Sequence, residues 1–248
     1  MQPTISKSEL ESQLALKTII QTATHFNCSE WTIRKHICFF EIKANRLKRS
    51  NLDLHHFINK TELGLYLIGL LAADGWLVQK SNRHTPHMVC LSLAEKDSYI
   101  LELFDLALNK KYRKCLVKRP ETQQNCYLIN ITSETLCSLL ISYGLTLNKS
   151  KHLKFPPNFN SEELKHYLRG YFDGNGYIGK QVELSVFAPL FIKNLQHFLY
   201  NKFNLKLRQS KNGLHFKVDS RLFFKWMYLE SNYHLIRKRN AAILYINE

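Results

Sequence analysis

Two glycine-rich apolar segments recur at a fixed distance in this chain, and no other feature restricts its fold as much. The first is Leu67-Ile68-Gly69-Leu70-Leu71-Ala72-Ala73-Asp74-Gly75 and the second Leu168-Arg169-Gly170-Tyr171-Phe172-Asp173-Gly174-Asn175-Gly176, so Asp74 and Asn175 stand 101 residues apart. Thr61-Glu62 and Ser161-Glu162-Glu163 supply polar caps upstream, and each segment reads as a helix running into a short strand, Trp76-Leu77-Val78 or Tyr177-Ile178. The repetition extends downstream. An alternating strand (89–93; 182–186), a helix (96–108; 189–203), two more strands and a Ser-capped helix (from Ser133; from Ser220) predict the order α-β-β-α-β-β-α in each half. The expected fold class is α+β with a pseudo-two-fold duplication, its halves at 61–158 and 159–248, preceded by a helical segment at 1–45 and a basic linker at 46–60.

The small residues say how the two helices meet. Gly69, Ala72 and Ala73 on one, and Gly170 and Gly174 on the other, remove the bulk that would keep two backbones apart. Close crossing at these positions brings the helix ends, Asp74 and Asn175, beside each other.

Composition narrows the partner. Lys+Arg 35 against Asp+Glu 20 leaves a net charge of +15, which draws the chain to a polyanion, nucleic acid first. The longest apolar stretch, residues 63–78, holds Asp74 and is shorter than the roughly 20 residues that span a bilayer, so no membrane partner is expected. The first residues lack a basic start before an apolar run, so no signal peptide is expected and the location reads as intracellular, cytoplasmic or organellar. Six cysteines without a Cys-x-x-Cys pair read as buried thiols in a reducing compartment, and eleven histidines without a paired helical spacing do not read as a metal centre.

The first segment patterns as two short helices. Residues 9–25 are apolar at mostly helical spacing, His25-Phe26-Asn27-Cys28 interrupts, and Ser29 caps a second run through Ile33, Ile37 and Phe40. A small Ala23, an Asn27 suited to a left-handed turn and an apolar Ile33 give the spacing of a helix-turn-helix. Its second helix would turn Glu30, Thr32, Arg34, Lys35 and His36 outward, the side that enters a major groove; an ordinary helical hairpin with solvated charges is the plain alternative.

The two repeated segments resemble the signature helices of single-chain LAGLIDADG homing endonucleases, with the likeness covering residues 61–248. The resemblance implies a β-saddle that holds a long specific site in double-stranded DNA, with both motifs in one chain and hence a monomer. It also implies that the terminal acidic residue of each motif holds magnesium or another divalent cation, which activates water and stabilises the leaving oxygen in phosphodiester hydrolysis. Carried onto this chain, the metal positions are Asp74 and Asn175. Asn175 departs from the pattern, because an amide oxygen can ligate a hard cation but brings no charge. Three outcomes stay open: a protein that nicks or cuts weakly, a descendant that binds without cleaving, or an altered chain that traps an uncut complex. Within the non-cleaving reading, a DNA regulator and a maturase gripping intron RNA both remain.

Asp173 reads as structural, at the helix interface, since Ala72 occupies the same place in the first half. The resemblance puts a solvent-network lysine after the last helix of each half, here Lys149 and Lys238, to polarise water or screen charge; ordinary surface or phosphate-contacting lysines are the alternative. The recognition surface falls to the polar faces of the strands and their turns. In the first half these are Gln79, Lys80, Asn82, Arg83, Arg113 and Lys118, and in the second Lys180, Gln181, Glu183, Lys206, Arg208, Ser210, His215 and Lys217.

Overall fold

The computed structural model describes residues 5–16, 19–40, 42, 52–82, 85–120, 123–179, 181–211, 213–216 and 219–248, which divide between two units, Met1–Asn51 and Leu52–Glu248.

In the first unit three helices form: α1 Lys7–Leu16, α2 Ile19–His25 and α3 Glu30–Phe39. The stretch expected as one helix over 9–25 is thus built as two, and Lys17 and Thr18 between them lie outside the described residues. Ile5, Leu10, Ala23 and Ile33 are its buried centre, with Leu14, Phe26, Ile37 and Phe40 packed around them. Asn27 takes a left-handed φ of 49°, which turns the chain between α2 and α3. The Ser29 side chain then accepts from the Thr32 N–H and starts α3.

The second unit is organised by two long helices, α5 Glu62–Asp74 and α9 Ser161–Asn175. Their crossing is so close that a Cβ on Gly69 would lie 2.0 Å from the Tyr167 carbonyl oxygen, and one on Gly170 would lie 2.0 Å from the Tyr66 carbonyl oxygen. Each glycine meets the carbonyl three residues before the other, so the contact is its own mirror under the pseudo-two-fold. Further along, a Cβ on Gly174 would meet the Ala73 Cβ at 2.5 Å and Asp74 Oδ2 at 2.7 Å, so the last turns also touch.

Each helix runs directly into an antiparallel sheet. The first sheet contains β1 Gly75–Val78, β2 Met88–Ala94, β3 Cys115–Val117 and β4 Cys126–Thr132 in the order β1-β2-β4-β3. The second contains β5 Gly176–Ile178, β6 Val182–Leu184, β7 Leu207–Ser210 and β8 Gly213–Phe216 in the matching order β5-β6-β8-β7. One face of each sheet closes the core, through Leu77, Val89, Leu91 and Ile129 in the first and Val182, Leu184 and Leu214 in the second. The mixed α+β duplication expected from the sequence is the architecture found.

Between β2 and β3 the chain forms a 3-10 helix, Glu95–Leu101, before α6 Glu102–Ala107, where one α-helix over 96–108 is expected. Three residues per turn place Asp97 and Ile100 on one inward line, and both are buried. Helix α7 Glu134–Ser142 and a single turn α8 Lys149–His152 complete the first half; α10 Pro189–Phe203, α11 Arg221–Tyr228 and α12 Ile236–Asn247 complete the second.

Several local expectations are corrected. Asn160, not Ser161, caps α9, in a reciprocal capping box with Glu163. Ser220 does not cap α11; its hydroxyl bonds the Tyr245 hydroxyl at 3.0 Å. Of the basic stretch 46–60, residues 46–51 lie outside the described residues, and from Leu52 the chain belongs to the second unit, where a short helix α4 His55–Ile58 buries Phe57. The six cysteines are all unpaired, but only Cys90, Cys126 and Cys137 are buried, while Cys38 is exposed.

Gly69→Ala and Gly170→Ala should each destabilise the second unit by about 3 kcal/mol or more, since the added methyl meets backbone that cannot swing aside. Urea unfolding monitored by circular dichroism checks this; a loss within ~0.5 kcal/mol would mean the helices separate freely.

Candidate active site and nucleic-acid interface

Asp74 and Asn175 are the last residues of α5 and α9, and the glycine after each begins a strand. Asp74 is half-buried, and among the described residues it makes no hydrogen bond or ion pair. Burial pushes its carboxyl above the usual range, against the pull of Lys149, Lys238 and Arg237, and the neighbouring Asp97 pushes the same way as burial. Asn175 lies beside Tyr171, one turn earlier in α9, and opposes the effect of burial on the Tyr171 hydroxyl.

The two lysines reach these helix ends from equivalent places. Lys149, the first residue of α8, points Nζ at the end of α5, donating to the Ala73 carbonyl and, at 3.5 Å, to that of Leu71, which also accepts from the Gly75 N–H. Lys238, in the first turn of α12, donates to the carbonyl of Gly176 and is 7% exposed. Burial lowers both ammonium groups to about 8; the Asp74 charge opposes this at Lys149, while the Arg237 charge adds to it at Lys238.

Two hollows flank the helix ends as pseudo-equivalents. One, of about 150 Å³, is lined by Ala73, Lys149, Tyr171, Asn175, Ser185 and Phe187, and among the described residues no carboxylate lines it. The other, of about 420 Å³, is lined by Asp74, Ser92, Asp97, Arg119, Gln124 and Arg237. The duplication has therefore kept a hollow at each helix end and lost the likeness of the two in size and charge. Among the described residues no group of three or more His, Cys, Asp and Glu side chains could hold a metal ion. Asp74 and Asn175 each line one hollow; the other carboxylates of the Asp74 hollow, Asp97 and Asp173, are held by Arg237 and by Tyr66, Tyr228 and the Leu235 N–H.

Asp173 is fully buried beneath the helix pair. It accepts from the Tyr66 hydroxyl at 2.9 Å, the Tyr228 hydroxyl at 2.6 Å and the Leu235 N–H at 2.6 Å. Burial raises its carboxyl to about 6 despite those three donors. Two residues to which the sequence reading gives no role at the site lie close by. Arg169 is fully buried, donating to the carbonyls of Tyr233 at 2.7 Å and Met227 at 3.0 Å and to Glu62 Oε1 at 2.7 Å. Glu62 in turn accepts from Asn232, from its N–H at 2.9 Å and its side chain at 2.7 Å. Asp97 and Arg237 likewise form a pair that spacing alone does not reveal.

The residues expected to face nucleic acid fall into groups. Tyr177, Glu183, His215 and Arg208 pair in succession across the second sheet and share its open face. Within that row Glu183 Oε1 lies 3.3 Å from His215 Nδ1, and Ser210 Oγ lies 2.8 Å from His215 Nε2. Lys206, Gln181, Gln79, Lys80, Asn82, Arg113 and Lys118 are exposed. Arg83, Lys180 and Lys217 lie outside the described residues. In the first unit Arg34 and Lys35 are exposed, and Lys35 Nζ sits 5.2 Å from the Trp31 ring, itself 66% exposed. His36 is half-buried, with Nδ1 2.8 Å from the Thr32 carbonyl.

No protein-family model and no curated protein matches the chain. Solved structures do match in fold. The homing endonuclease I-WcaI bound to its DNA recognition sequence is 14% identical with a TM-score of 0.51, over 73% of this chain and 85% of that one. I-DmoI in complex with DNA and Ca is 17% identical with a TM-score of 0.52, over 75% and 99%. Full-length DUF199/WhiA from Thermatoga maritima is 18% identical with a TM-score of 0.50, over 76% and 60%. The fold is that of the LAGLIDADG homing endonucleases and WhiA.

Both buried lysines should titrate near pH 8, and their side-chain carbon NMR signals, assigned by loss in Lys149→Arg and Lys238→Arg, check this. The sign follows from linkage. The folded chain holds these protons less tightly than the unfolded chain, whose lysines titrate near 10.5, so their contribution to stability rises as pH climbs from about 8 to 10.5.

Proposed function

We propose that the chain is a site-specific, divalent-metal-dependent DNA endonuclease of the homing type that cuts one strand of its duplex in preference to the other. The observation that carries this reading is Asp74, a carboxylate without an ion pair at the junction of two glycine-packed helices, with a buried lysine at the end of each. The fold it shares with I-DmoI, solved in complex with DNA and Ca, supports it.

Asp74 fits a single hard cation completed by phosphate and water oxygens, whereas Asn175 contributes a neutral oxygen at most. A divalent ion held there supplies an activated water and charge stabilisation for the leaving oxygen. The chain's own part is to present the strand and manage protons. Lys149 and Lys238, with affinities near neutral pH, orient water against the phosphate and can give or take a proton there. The exposed basic residues of both sheets bind the phosphates of double-stranded DNA, and Tyr177, Glu183, His215 and Arg208 offer donors and acceptors to base edges. The first unit adds a helix-turn-helix contact through Arg34 and Lys35, within a domain plan of 1–45, 46–60, 61–158 and 159–248. The absent carboxylate at Asn175 favours a second reading, in which the duplex is bound and left uncut.

The full chain, incubated with magnesium and a supercoiled plasmid library of random inserts, separates the two. Nicked circles are expected from the chain as it stands and linear product from Asn175→Asp, while Asp74→Asn should lose about 100-fold or more in rate with binding retained. Duplex binding without cleavage by either the chain or Asn175→Asp would establish the second reading.

A further inference from the structure

Arg237 is the second residue of α12, and it is fastened to the opposite half of the molecule. Its Nε lies 2.9 and 3.0 Å from the two carboxylate oxygens of Asp97, and its Nη2 lies 2.7 Å from Oδ2. Asp97 sits in the 3-10 helix of the first half with its side chain 7% exposed, whereas the Arg237 side chain is 44% exposed. The backbone on either side is pinned too. The Ile236 N–H donates to the Tyr99 hydroxyl at 2.7 Å and the Leu235 N–H to Asp173 at 2.6 Å. Two halves therefore hold this arginine from three directions.

This pairing uses only one edge of the guanidinium. Asp97 takes Nε and Nη2, and among the described residues Nη1 has no hydrogen-bond partner. Arg237 and Asp74 line the same hollow, beside Ser92 and Gln124, and the arginine charge is felt at the Asp74 carboxyl. A guanidinium held in place with part of its planar fork open matches a phosphate oxygen and loses little freedom on binding one.

The other hollow is built without this device. Lys149 takes the place of Lys238 there, but the residue before it is Asn148, which is exposed, and no arginine lines the Asn175 side. We propose that Arg237, held by Asp97, binds a backbone phosphate of the one DNA strand that enters the Asp74 hollow. This rests on the duplex-binding reading above and adds a residue and a side to it.

The test is the salt dependence of duplex binding, because a brace that only joins the halves does not change the number of phosphates bound. The full chain and two variants, Arg237→Gln and the double variant Arg237→Gln/Asp97→Asn, are titrated onto a fluorescent random-sequence duplex of about 30 base pairs, from about 50 to 200 mM KCl. The double variant removes both charges together, so no carboxylate is left buried without its partner. Both variants should show a slope of log affinity against log salt that is smaller by about one unit. Arg237→Lys, which keeps the charge, should keep the slope. A folded double variant with the slope of the unmodified chain would overturn the assignment of Arg237 and leave duplex binding standing. Failure of the unmodified chain to bind duplex at all would overturn the underlying reading and this one with it.

Discussion

The approach of two carbonyl oxygens to two glycines governs this molecule. With Gly69 against the Tyr167 carbonyl and Gly170 against the Tyr66 carbonyl, α5 and α9 have one way to cross. Their last turns must then lie together, and the strands that leave them must diverge as two sheets. The helix ends consequently hold opposed, unsatisfied carbonyls in a shared interior, and a cation is the natural complement to such groups. Two lysines supply it. Because they are buried to do so, they sit with proton affinities near neutrality in place of the usual ones, and the packing of the helices thereby sets the acid–base character of the site.

Delivery of the second lysine depends on a connection that is fixed far from where it acts. Glu62 holds Asn232, Arg169 holds the carbonyl of Tyr233, and Asp173 holds the N–H of Leu235, so the segment between α11 and α12 is bonded at three of its residues to the underside of the helix pair. A buried carboxylate and a buried guanidinium are costly apart, and here each is satisfied by backbone and hydroxyl groups as well as by opposite charge. The first half solves the same problem with a shorter device. Gly144, at a φ of +102°, ends α7, and its carbonyl accepts from the Lys154 N–H at 3.0 Å, closing the loop that presents Lys149.

Much of this is written locally. The duplicated helix, the glycines, the left-handed Asn27 and the caps at Ser29, Thr61 and Ser133 all have signatures within a few residues, and the architecture derives from them. What escapes is whatever joins distant residues. Asp97 and Arg237 are 140 residues apart and Glu62 and Arg169 are 107 apart, so nothing near either member announces the other. Asp97 turns inward because the chain there winds as a 3-10 helix, which an apolar period cannot distinguish from an α-helix. An arginine inside the apolar second motif is the one available hint, since a charge on a buried face must have a partner.

Tyr66 and Tyr167 are counterparts, and only one is provided for. The Tyr66 hydroxyl donates a hydrogen bond to Asp173; the Tyr167 hydroxyl is buried and, among the described residues, has no partner, its side of the duplication having Ala72 where the other has Asp173. The halves have thus become unlike at this contact. Two copies of the first half, paired through the same crossing, would leave both tyrosine hydroxyls without an acceptor. Two copies of the second would offer Asp173 to each Tyr167 and Glu163, the counterpart of Glu62, to each Arg169, so the specialisation lies in the first half. Joining unlike halves in one chain leaves one of these tyrosine hydroxyls without an acceptor where two first halves would leave both.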